Sequence, residues 1–338
     1  MKASTAKEVA HHAGVSVATV SRVLNGSTSV DTELRRRVLD SAQQLRYRPN
    51  RLARNFRTKS TKTIAIVVPD IENPFFISVA RGLEEVAFRE GYTLLVCDTD
   101  DALDRESTYL QVLADEAVAG IVVCATDERR SSAPVRKVLE QGIAVVALDR
   151  RLEDASVDSV LSDNFGGTRA AVSLMIEQGH RRIGLVAGPS KYAPGRERRM
   201  GYEQAHVDHG LPVDPALIKV TNFKSPEAEV ATRELLDSPD RPTALFLGSG
   251  NVAIGSLRAI HQLGLVIPTD VSLIIFDDLE WADAYNPTLT VVSQNTRRLG
   301  TLAGDLLLQR IRGSEEPPQE RHLPTQLIVR CSVTRPPN

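Results

Sequence analysis

Charged and amide side chains follow several apolar segments of this chain directly, at positions where they could bind one polar ligand together. Asp149 and Arg150 come after an apolar run that ends at Leu148, and Asp277 follows another that ends at Phe276. Carboxylate and guanidinium groups form paired hydrogen bonds with neighbouring hydroxyl groups, and aromatic rings stack on the C–H faces of sugars. The sequence therefore favours a sugar pocket built from the residues that follow the apolar runs: the segment 70–76 (DIENPFF), Asp149, Arg150, Arg196, Arg198, Asp277, Asp278 and Gln294.

The motifs support other chemistries less well. The segment 248–255 (GSGNVAIG) resembles a dinucleotide-binding loop but lacks the third glycine of that fingerprint. The acidic residues Asp98, Asp100, Asp101 and Asp104 have no paired ligands elsewhere, so we interpret them as a solvated turn. Nucleophile-elbow, phosphate-loop and zinc-protease motifs are missing, and the three cysteines form no CxxC pair. We therefore expect no enzymatic activity, no cofactor and no metal.

Alternating strands and helices must position the candidate ligand-binding groups. From residue 62 onwards, apolar runs typical of buried parallel strands alternate with amphipathic stretches typical of helices. This βαβα order predicts open parallel sheets, with enough strands for two, and ligands bind beyond the carboxyl ends of such strands. The predicted strands are 64–69, 93–98, 120–125, 143–148, 182–188, 243–248, 271–276 and the segment LTVVS (289–293) before Gln294, and the helices include roughly 75–90, 105–117, 164–179, 196–209, 226–237, 250–264 and 296–312.

The beginning of the chain predicts a small helical head. Thr5 and Glu8 have capping-box spacing, and Gly14 is placed to end this first helix in a left-handed cap. Ser16 is a natural cap for a short second helix, and a third helix starts near Asp31. Two short helices joined by a tight turn, with a third that closes the core, form a helix-turn-helix.

The second helix of this head carries side chains that suit a DNA major groove. Val17 and Ala18 can contact thymine methyl groups, Ser16 and Thr19 can bind phosphates, and Arg22 can reach guanine O6 and N7 together. The short side chains allow the backbone to approach the DNA closely.

The charge distribution supports a polyanionic partner for the head alone. Residues 1–60 carry twelve Lys and Arg against four Asp and Glu, a formal charge of +8, whereas the remainder carries 29 against 39, or −10. No apolar run approaches the ~20 residues of a membrane span, and the first residues have no apolar core of a signal peptide. We therefore expect a cytoplasmic protein without a membrane partner.

Two segments, TAKEVAHHAGVSVATVSRVLNG and RVLDSAQQLRYRPNRLARNF, resemble the DNA-binding region of the LacI/GalR (lactose-repressor) family. The NPFF, DR and FDD segments are similar to those of its sugar-binding members. The resemblance implies a regulator that binds pseudopalindromic operator DNA and a sugar-like effector. It implies DNA contacts by Thr5, Ser16, Val17, Ala18, Thr19, Ser21, Arg22, Asn25, Tyr47, Asn50, Arg51, Ala53, Arg54 and Phe56, and effector contacts by Asn73, Phe75, Phe76, Asp149, Arg150, Arg196, Arg198, Asp277 and Gln294.

The resemblance also implies a fold class and a domain organisation. A small all-α helix-turn-helix head is followed by an α/β body with two parallel-sheet lobes of the periplasmic-binding-protein type, which binds effector and forms the dimer. The expected boundaries are 1–46 for the head, 47–62 for a hinge helix and linker, and 63–338 for the body, with an N-lobe of about 63–161 and 292–324 and a C-lobe of about 162–291 and 325–338.

Two positions depart from the family pattern. Asn50 can cap a hinge helix over the segment 51–56, which is too short to be stable alone. In the family an apolar side chain of this helix wedges between base pairs, and the matching residue here is Phe56 instead of leucine. The second departure is Ser249-Gly250 where relatives have Asn-Asp, so a strong acceptor for sugar hydroxyls is missing.

We therefore predict a sequence-specific DNA-binding repressor that a sugar or sugar derivative controls. Two alternatives remain open at this point: a sugar-binding protein without a regulatory role, and a regulator without a small-molecule effector. We expect a homodimer, because family operators are two-fold and one head contacts little DNA. The chain ends at CSVTRPPN without leucine heptads, so we expect no tetramer-forming bundle.

Overall fold

The computed structural model describes residues 4–24, 30–45, 47 and 61–337. The chain divides into two compact units, Met1–Ser60 and Thr61–Asn338. The helix-turn-helix head and the two-lobed α/β body confirm the predicted fold class.

The head contains helices α1 (Ala6–Ala13), α2 (Val17–Leu24) and α3 (Thr32–Gln44) in its described part. Each helix begins or ends at the residue that the sequence predicts. Thr5 and Glu8 form a reciprocal capping box, Gly14 adopts a left-handed conformation with φ of 63°, and Asp31 caps α3. The three helices enclose a small apolar core around Val9, Val20, Val23 and Val38.

The first lobe of the body, the N-lobe, is a parallel sheet in the order β11-β5-β4-β3-β1-β2. Its helices pack on both faces, which explains why three of its six strands are nearly continuous runs of buried Val, Ile, Leu and Ala. Its elements are β1 (Thr63–Val68), α4 (Pro74–Arg89), β2 (Thr93–Asp98), α5 (Leu103–Asp115), β3 (Gly120–Val123), α6 (Ser132–Glu140), β4 (Ala144–Leu148), β5 (Asp158–Ser162), and, after an excursion through the other lobe, α11 (Thr296–Ile311) and β11 (Glu320–Leu323).

The second lobe, the C-lobe, repeats this architecture in the order β12-β10-β9-β8-β6-β7, and only β12 runs antiparallel to its neighbour. Its elements are α7 (Asn164–Glu177), β6 (Ile183–Ala187), α8 (Ala193–Asp208), the 3-10 turn Pro215–Leu217, β7 (Ile218–Val220), α9 (Ser225–Leu236), β8 (Ala244–Leu247), α10 (Gly250–Gln262), β9 (Ser272–Phe276), β10 (Thr290–Ser293) and β12 (Gln326–Ile328).

The chain crosses between the lobes after β5, after β10 and after β11. Helix α11 therefore lies in the N-lobe, against α4, although it follows β10 of the C-lobe in the sequence. The two helices approach closely because Gly82 and Gly300 face the partner backbone, where a Cβ atom would overlap a carbonyl oxygen. This close crossing holds the late segment of the chain in the first lobe.

Several elements are absent from the sequence-based prediction: the short strands β5, β7, β11 and β12 and helix α6. Helix α8 also begins at Ala193, three residues before the predicted start at Arg196. The strands were missed because they are short or lie at sheet edges, where polar residues interrupt the apolar pattern. Among the described residues, no helix is long and apolar enough to cross a membrane.

Candidate ligand cavity and nucleic-acid interface

A cavity of about 50 Å³ lies between the lobes, at the carboxyl ends of their strands. Asp149 follows β4 of the N-lobe, and Asp277 follows β9 of the C-lobe. Both aspartates have left-handed backbone conformations, with φ of 62° and 95°, which turn the chain sharply at the strand ends. The cavity is lined by Pro69, Asp70, Asn73, Phe75, Phe76, Asp101, Asp149, Arg150, Pro194, Arg198, Asn222, Phe223, Lys224, Asp277 and Gln294.

On the C-lobe side, a buried polar cluster is centred on Asp277. Its carboxylate accepts hydrogen bonds from the Gln294 amide at 2.6 Å and from the Gly250 backbone N–H at 3.0 Å. Arg198 lies over the Phe276 ring, with its guanidinium carbon 3.8 Å from the ring centroid. The Arg198 guanidinium also donates to the Asn164 side chain at 2.9 Å, so the same residue is fixed by stacking and by hydrogen bonds.

On the N-lobe side, Arg150 and Asp149 present opposite charges side by side. The Arg150 guanidinium donates to Asp101 and to the Ala125 carbonyl, both at 3.0 Å, and lies 3.8 Å above the Tyr192 ring of the C-lobe. The Cys124 thiol lies 3.9 Å from the Asp149 carboxylate and is fully buried. Adjacent carboxylate and guanidinium groups suit a ligand with neighbouring hydroxyls, because each hydroxyl can donate to one and accept from the other.

Burial dominates the electrostatics of this cluster. It raises the pKa of Asp149, while the nearby Arg150 and Arg198 oppose the rise. Burial likewise raises the pKa of Asp277, and Arg198, Gln294 and the Gly250 N–H oppose it. The neighbouring charged and hydrogen-bonding groups therefore limit, but do not cancel, the rise that burial causes in the pKa of each carboxylate.

Two buried polar atoms at the cavity have no hydrogen-bond partner among the described residues: Arg150 Nε, a donor, and Gln294 Oε1, an acceptor. Native structures rarely leave such atoms unsatisfied, and exceptions point to function. A donor from one lobe and an acceptor from the other match a ligand that both gives and takes hydrogen bonds.

The aromatic residues predicted for the pocket also reach it. Phe75 and Phe76 are buried in the first turn of α4, with their ring centroids 4.9 Å apart in an edge-to-face arrangement. Asn73 caps this helix, because its side-chain oxygen accepts the Phe75 N–H at 3.0 Å. Its oxygen is thus used structurally, which leaves the amide group as the part that can face a ligand.

Two predicted residues, Arg196 and Asp278, do not line this cavity, and several lining residues were not predicted; Asp278 pairs with Arg330 at 3.0 Å. Arg196 does not line the cavity, and its guanidinium pairs with Glu128 at 3.1 Å. Asp101 comes from the acidic run that the sequence indicated to be a solvated turn, although it pairs with Arg150. Asn222 and Lys224 follow the unpredicted strand β7, so no strand-end signal was available for them.

The structure shows why position 250 holds glycine instead of the acidic residue that relatives carry there. A Cβ atom at this position would lie 2.8 Å from a methyl carbon of Leu279, too close for a longer side chain without movement of the leucine. Ser249 caps α10 by accepting the Val252 N–H. The space of the expected acidic side chain is thus occupied by an apolar one, and the Gly250 N–H supports Asp277 instead.

Among the described residues, most of those predicted to contact DNA lie on the surface of the head. Thr5, Ser16, Val17, Ala18 and Arg22 are exposed, and Thr19 and Ser21 are half-buried. The Ser16 hydroxyl accepts the Thr19 N–H at 3.1 Å, so it caps α2 as predicted. Tyr47 packs against the head core. The predicted contacts Asn25, Asn50, Arg51, Ala53, Arg54 and Phe56 lie outside the described residues.

Comparison with known proteins finds two family models along the chain. Residues 5–50 match the model of bacterial regulatory proteins of the lacI family, and residues 172–333 match a periplasmic binding protein-like domain. A ribose operon repressor from Halalkalibacterium halodurans is 34% identical over 97% of this chain and 96% of its own length. An HTH-type transcriptional repressor PurR from Aliivibrio fischeri is 31% identical over 98% of each.

Solved structures give the same result over nearly the whole chain. A complex of the transcriptional regulator CelR with cellobiose is 32% identical, with a TM-score of 0.73 over 97% of this chain and 99% of that one. The lac repressor dimer bound to operator and the anti-inducer ONPF is 25% identical, with a TM-score of 0.86 over 98% of this chain and 100% of that one.

Proposed function

This chain belongs to the lacI family of bacterial regulatory proteins, and we propose that it is a transcriptional repressor whose operator binding is controlled by a small neutral sugar. Family membership makes it a DNA-binding regulator rather than an enzyme. The sugar is inferred from the cavity of this chain together with the names of its relatives, a ribose operon repressor and a cellobiose complex.

The observation that carries the sugar assignment is the alternation of charge around the cavity. Asp149 and Arg150 face it from the N-lobe, and Asp277 and Arg198 face it from the C-lobe. With the further lining groups Asp70, Asp101 and Lys224, acidic and basic side chains nearly balance around the cavity, which suits pairs of hydroxyls without strongly favouring a net charge on the ligand. The rings of Phe75 and Phe76 supply the apolar surface that the C–H face of a sugar requires.

The DNA side of the proposal rests on the exposed face of α2. Arg22 would read a guanine, Val17 and Ala18 would contact thymine methyl groups, and the polar residues around them would bind the phosphates. The hinge segment with Phe56 would insert into the minor groove at the operator centre. We assign 1–46 to the head, 47–62 to the hinge and linker, and 63–338 to the body, whose chain passes between the lobes after Ser162, after Ser293 and after Leu323.

Coupling between the effector cavity and the DNA-binding head requires the lobes to move. The cavity holds about 50 Å³, and an adjoining cavity of about 520 Å³ shares Phe75, Asp277 and Gln294 with it. A sugar bound there stabilises whichever arrangement of the lobes it fits better. Such a shift changes the spacing of the two N-lobes in a dimer, and through them the spacing of the hinge segments on the operator.

The edge strands of the body support a homodimer. Leu95 and Val96 of β2 and Val220 of β7 are large apolar residues that are 43%, 43% and 54% exposed on the outer strands of the two sheets. Exposed apolar edge strands are unfavourable in a monomer and are usually covered by a partner. Sedimentation should show a dimer at micromolar concentration, and Val96→Asp should shift it towards monomer. A stable tetramer, or a wild-type monomer, would contradict this.

The decisive experiment is a gel shift on the DNA upstream of the protein's own gene, which we expect to contain a pseudopalindromic operator. The cytoplasm is the compartment in which we place this activity, because the operator is there. D-ribose and cellobiose are the first sugars to add, and glucose 6-phosphate tests an anionic alternative. We expect specific retardation of the DNA, and a change in that retardation with a neutral sugar.

The other outcomes identify the alternatives. Retardation that none of a broad panel of sugars alters would indicate a regulator without a sugar effector. Sugar binding measured by calorimetry without any retarded DNA would indicate a binding protein without a regulatory role. A response to the sugar phosphate alone would contradict the charge argument for a neutral ligand.

A further inference from the structure

Helix α8 begins without a local side-chain cap. Tyr192, at the N-cap position, makes no capping hydrogen bond with its side chain. The Ala193 N–H instead donates to the carboxylate of Glu128 at 2.7 Å, and Glu128 lies 65 residues away in the loop after β3. The C-lobe helix that carries Arg198 is therefore capped by a residue of the N-lobe.

The contact is more than one hydrogen bond. The second oxygen of Glu128 accepts a bond from the Arg196 guanidinium at 3.1 Å, and only 6% of the Glu128 side chain is exposed. The next residue along the helix, Glu197, pairs with Arg151 of the N-lobe at 2.9 Å. Positions 196 and 197 thus bind the opposite lobe, and position 198 faces the cavity.

The physical reason for this arrangement is the electrostatics of a helix start. The unpaired N–H groups of the first turn favour a negative charge, and a buried carboxylate that accepts two charge-assisted bonds is strongly oriented. These bonds exist only while the lobes are apposed. When they separate, Ala193 and Glu128 must both find water instead, and the first turn of α8 loses its cap.

We propose that Glu128 is a positioning residue of the effector site: it caps α8 across the cleft and steadies the first turn of the helix that carries Arg198, in addition to the C-lobe contacts of Arg198 with Phe276 and Asn164. The inference rests on the proposed function in one respect, the assignment of Arg198 to the effector. Glu128 itself does not line the cavity. It acts through the backbone of the helix, so loss of the cap should loosen the turn that leads to Arg198 while the C-lobe contacts of Arg198 remain available.

The first test needs no effector. In the full chain labelled with ¹⁵N-arginine, the buried Arg198 Nε–H, which donates to Asn164, gives a signal that Arg198→Lys identifies. Glu128→Ala should shift or broaden this signal and should speed amide exchange in the peptide 190–198 on the order of tenfold, the usual effect of losing a cap. Glu128→Gln keeps an acceptor for Ala193 and should restore part of both effects.

Glu140→Gln is the matched control, because Glu140 is an exposed carboxylate on α6 of the same lobe. The proposal is overturned if the Arg198 signal is unchanged in Glu128→Ala, or if Glu140→Gln has the same effect. A uniform rise of exchange throughout the chain would also overturn it, because that would show general destabilisation.

Calorimetry with D-ribose and cellobiose separates this inference from the sugar proposal. With whichever sugar binds the wild type, Glu128→Ala should bind several-fold more weakly, with Glu128→Gln between the two. Unchanged affinity in Glu128→Ala would overturn the positioning role. If neither sugar binds the wild type, the assignment of those sugars fails, while the arginine signal still decides the role of Glu128.

Discussion

Replacement of Asp277 by asparagine separates stability from ligand binding at the cavity. The Asp277 carboxylate accepts one hydrogen bond from the Gly250 N–H and one from the Gln294 amide. An asparagine can keep the first bond through its oxygen. It can keep the second only if the Gln294 amide turns over, so that Gln294 Oε1, which now has no partner, accepts from the new amide group.

The Asp277→Asn substitution should have a small effect on the free energy of unfolding. Both hydrogen bonds are retained in number, and asparagine tolerates the left-handed backbone, φ of 95°, about as well as aspartate does. The free energy of unfolding should therefore change by no more than about 1 kcal/mol. Alanine would instead leave the Gly250 N–H without a partner in a buried place, which costs about 1–3 kcal/mol.

The Asp277→Asn substitution should have a large effect on effector affinity. Asp277→Asn removes a charge that faces Arg198, and the turned Gln294 presents a donor where it had presented an acceptor. A hydrogen bond to a charged group contributes about 1.5–3 kcal/mol, so effector affinity should fall roughly tenfold to 150-fold. Operator binding without effector should stay within a few-fold, because Asp277 lies in the body and not on the DNA-binding head.

Three measurements on the same preparation check this: urea unfolding, calorimetry with the sugar that changes the gel shift, and the gel shift itself. Asp283→Asn is the control, because Asp283 is an exposed carboxylate of the same lobe that lines neither this cavity nor the adjoining one. The reasoning is refuted if Asp277→Asn binds effector like the wild type, if Asp283→Asn loses the same affinity, or if operator binding is lost outright.

The pH dependence of stability gives a second check on Asp277. Burial raises its pKa in the folded protein, so the folded state binds a proton more tightly than the unfolded state does. Its contribution to stability is present below its unfolded pKa of about 4 and is lost as the pH rises through the folded pKa. The stability of Asp277→Asn relative to the wild type should therefore increase with pH across that interval and stay constant above it.

Other substitutions test the head, the hinge and the lobe core. Arg22→Ala should weaken operator binding by about 1–3 kcal/mol per half-site and relax the preference at one base pair; equal weakening on all sequences would make Arg22 a phosphate contact. Phe56→Ala should weaken operator binding strongly and reduce DNA bending in a circular-permutation assay, with effector affinity unchanged, whereas normal operator binding would contradict the wedge role. Gly300→Ala should destabilise the body by about 1–3 kcal/mol or more in urea unfolding, because its Cβ would overlap the Val79 carbonyl oxygen, and an unchanged midpoint would show that the helices can separate there.

The sequence by itself determined the elements whose ends depend on nearby residues. The ends of the head helices are set by Thr5 with Glu8, by Gly14 and by Asp31, each within a few residues of the groups that it satisfies. The longer buried strands were equally readable, because strands covered on both faces must be almost continuously apolar. The candidate ligand groups followed from these strand ends, since parallel strands bring their carboxyl ends to one edge of a sheet.

Only the tertiary structure decided the features that depend on residues far apart in the chain. Helix α8 begins three residues earlier than predicted, with Pro194 in its first turn, and its cap comes from Glu128 in the other lobe. For the same reason Arg196 pairs across the cleft instead of lining the cavity, and Asp101 joins the cavity through its bond to Arg150. Residue patterns with a spacing of three to four positions predict helix caps and the buried face of a helix. A hydrogen bond between residues 65 positions apart leaves no such pattern, so only the packed lobes reveal it.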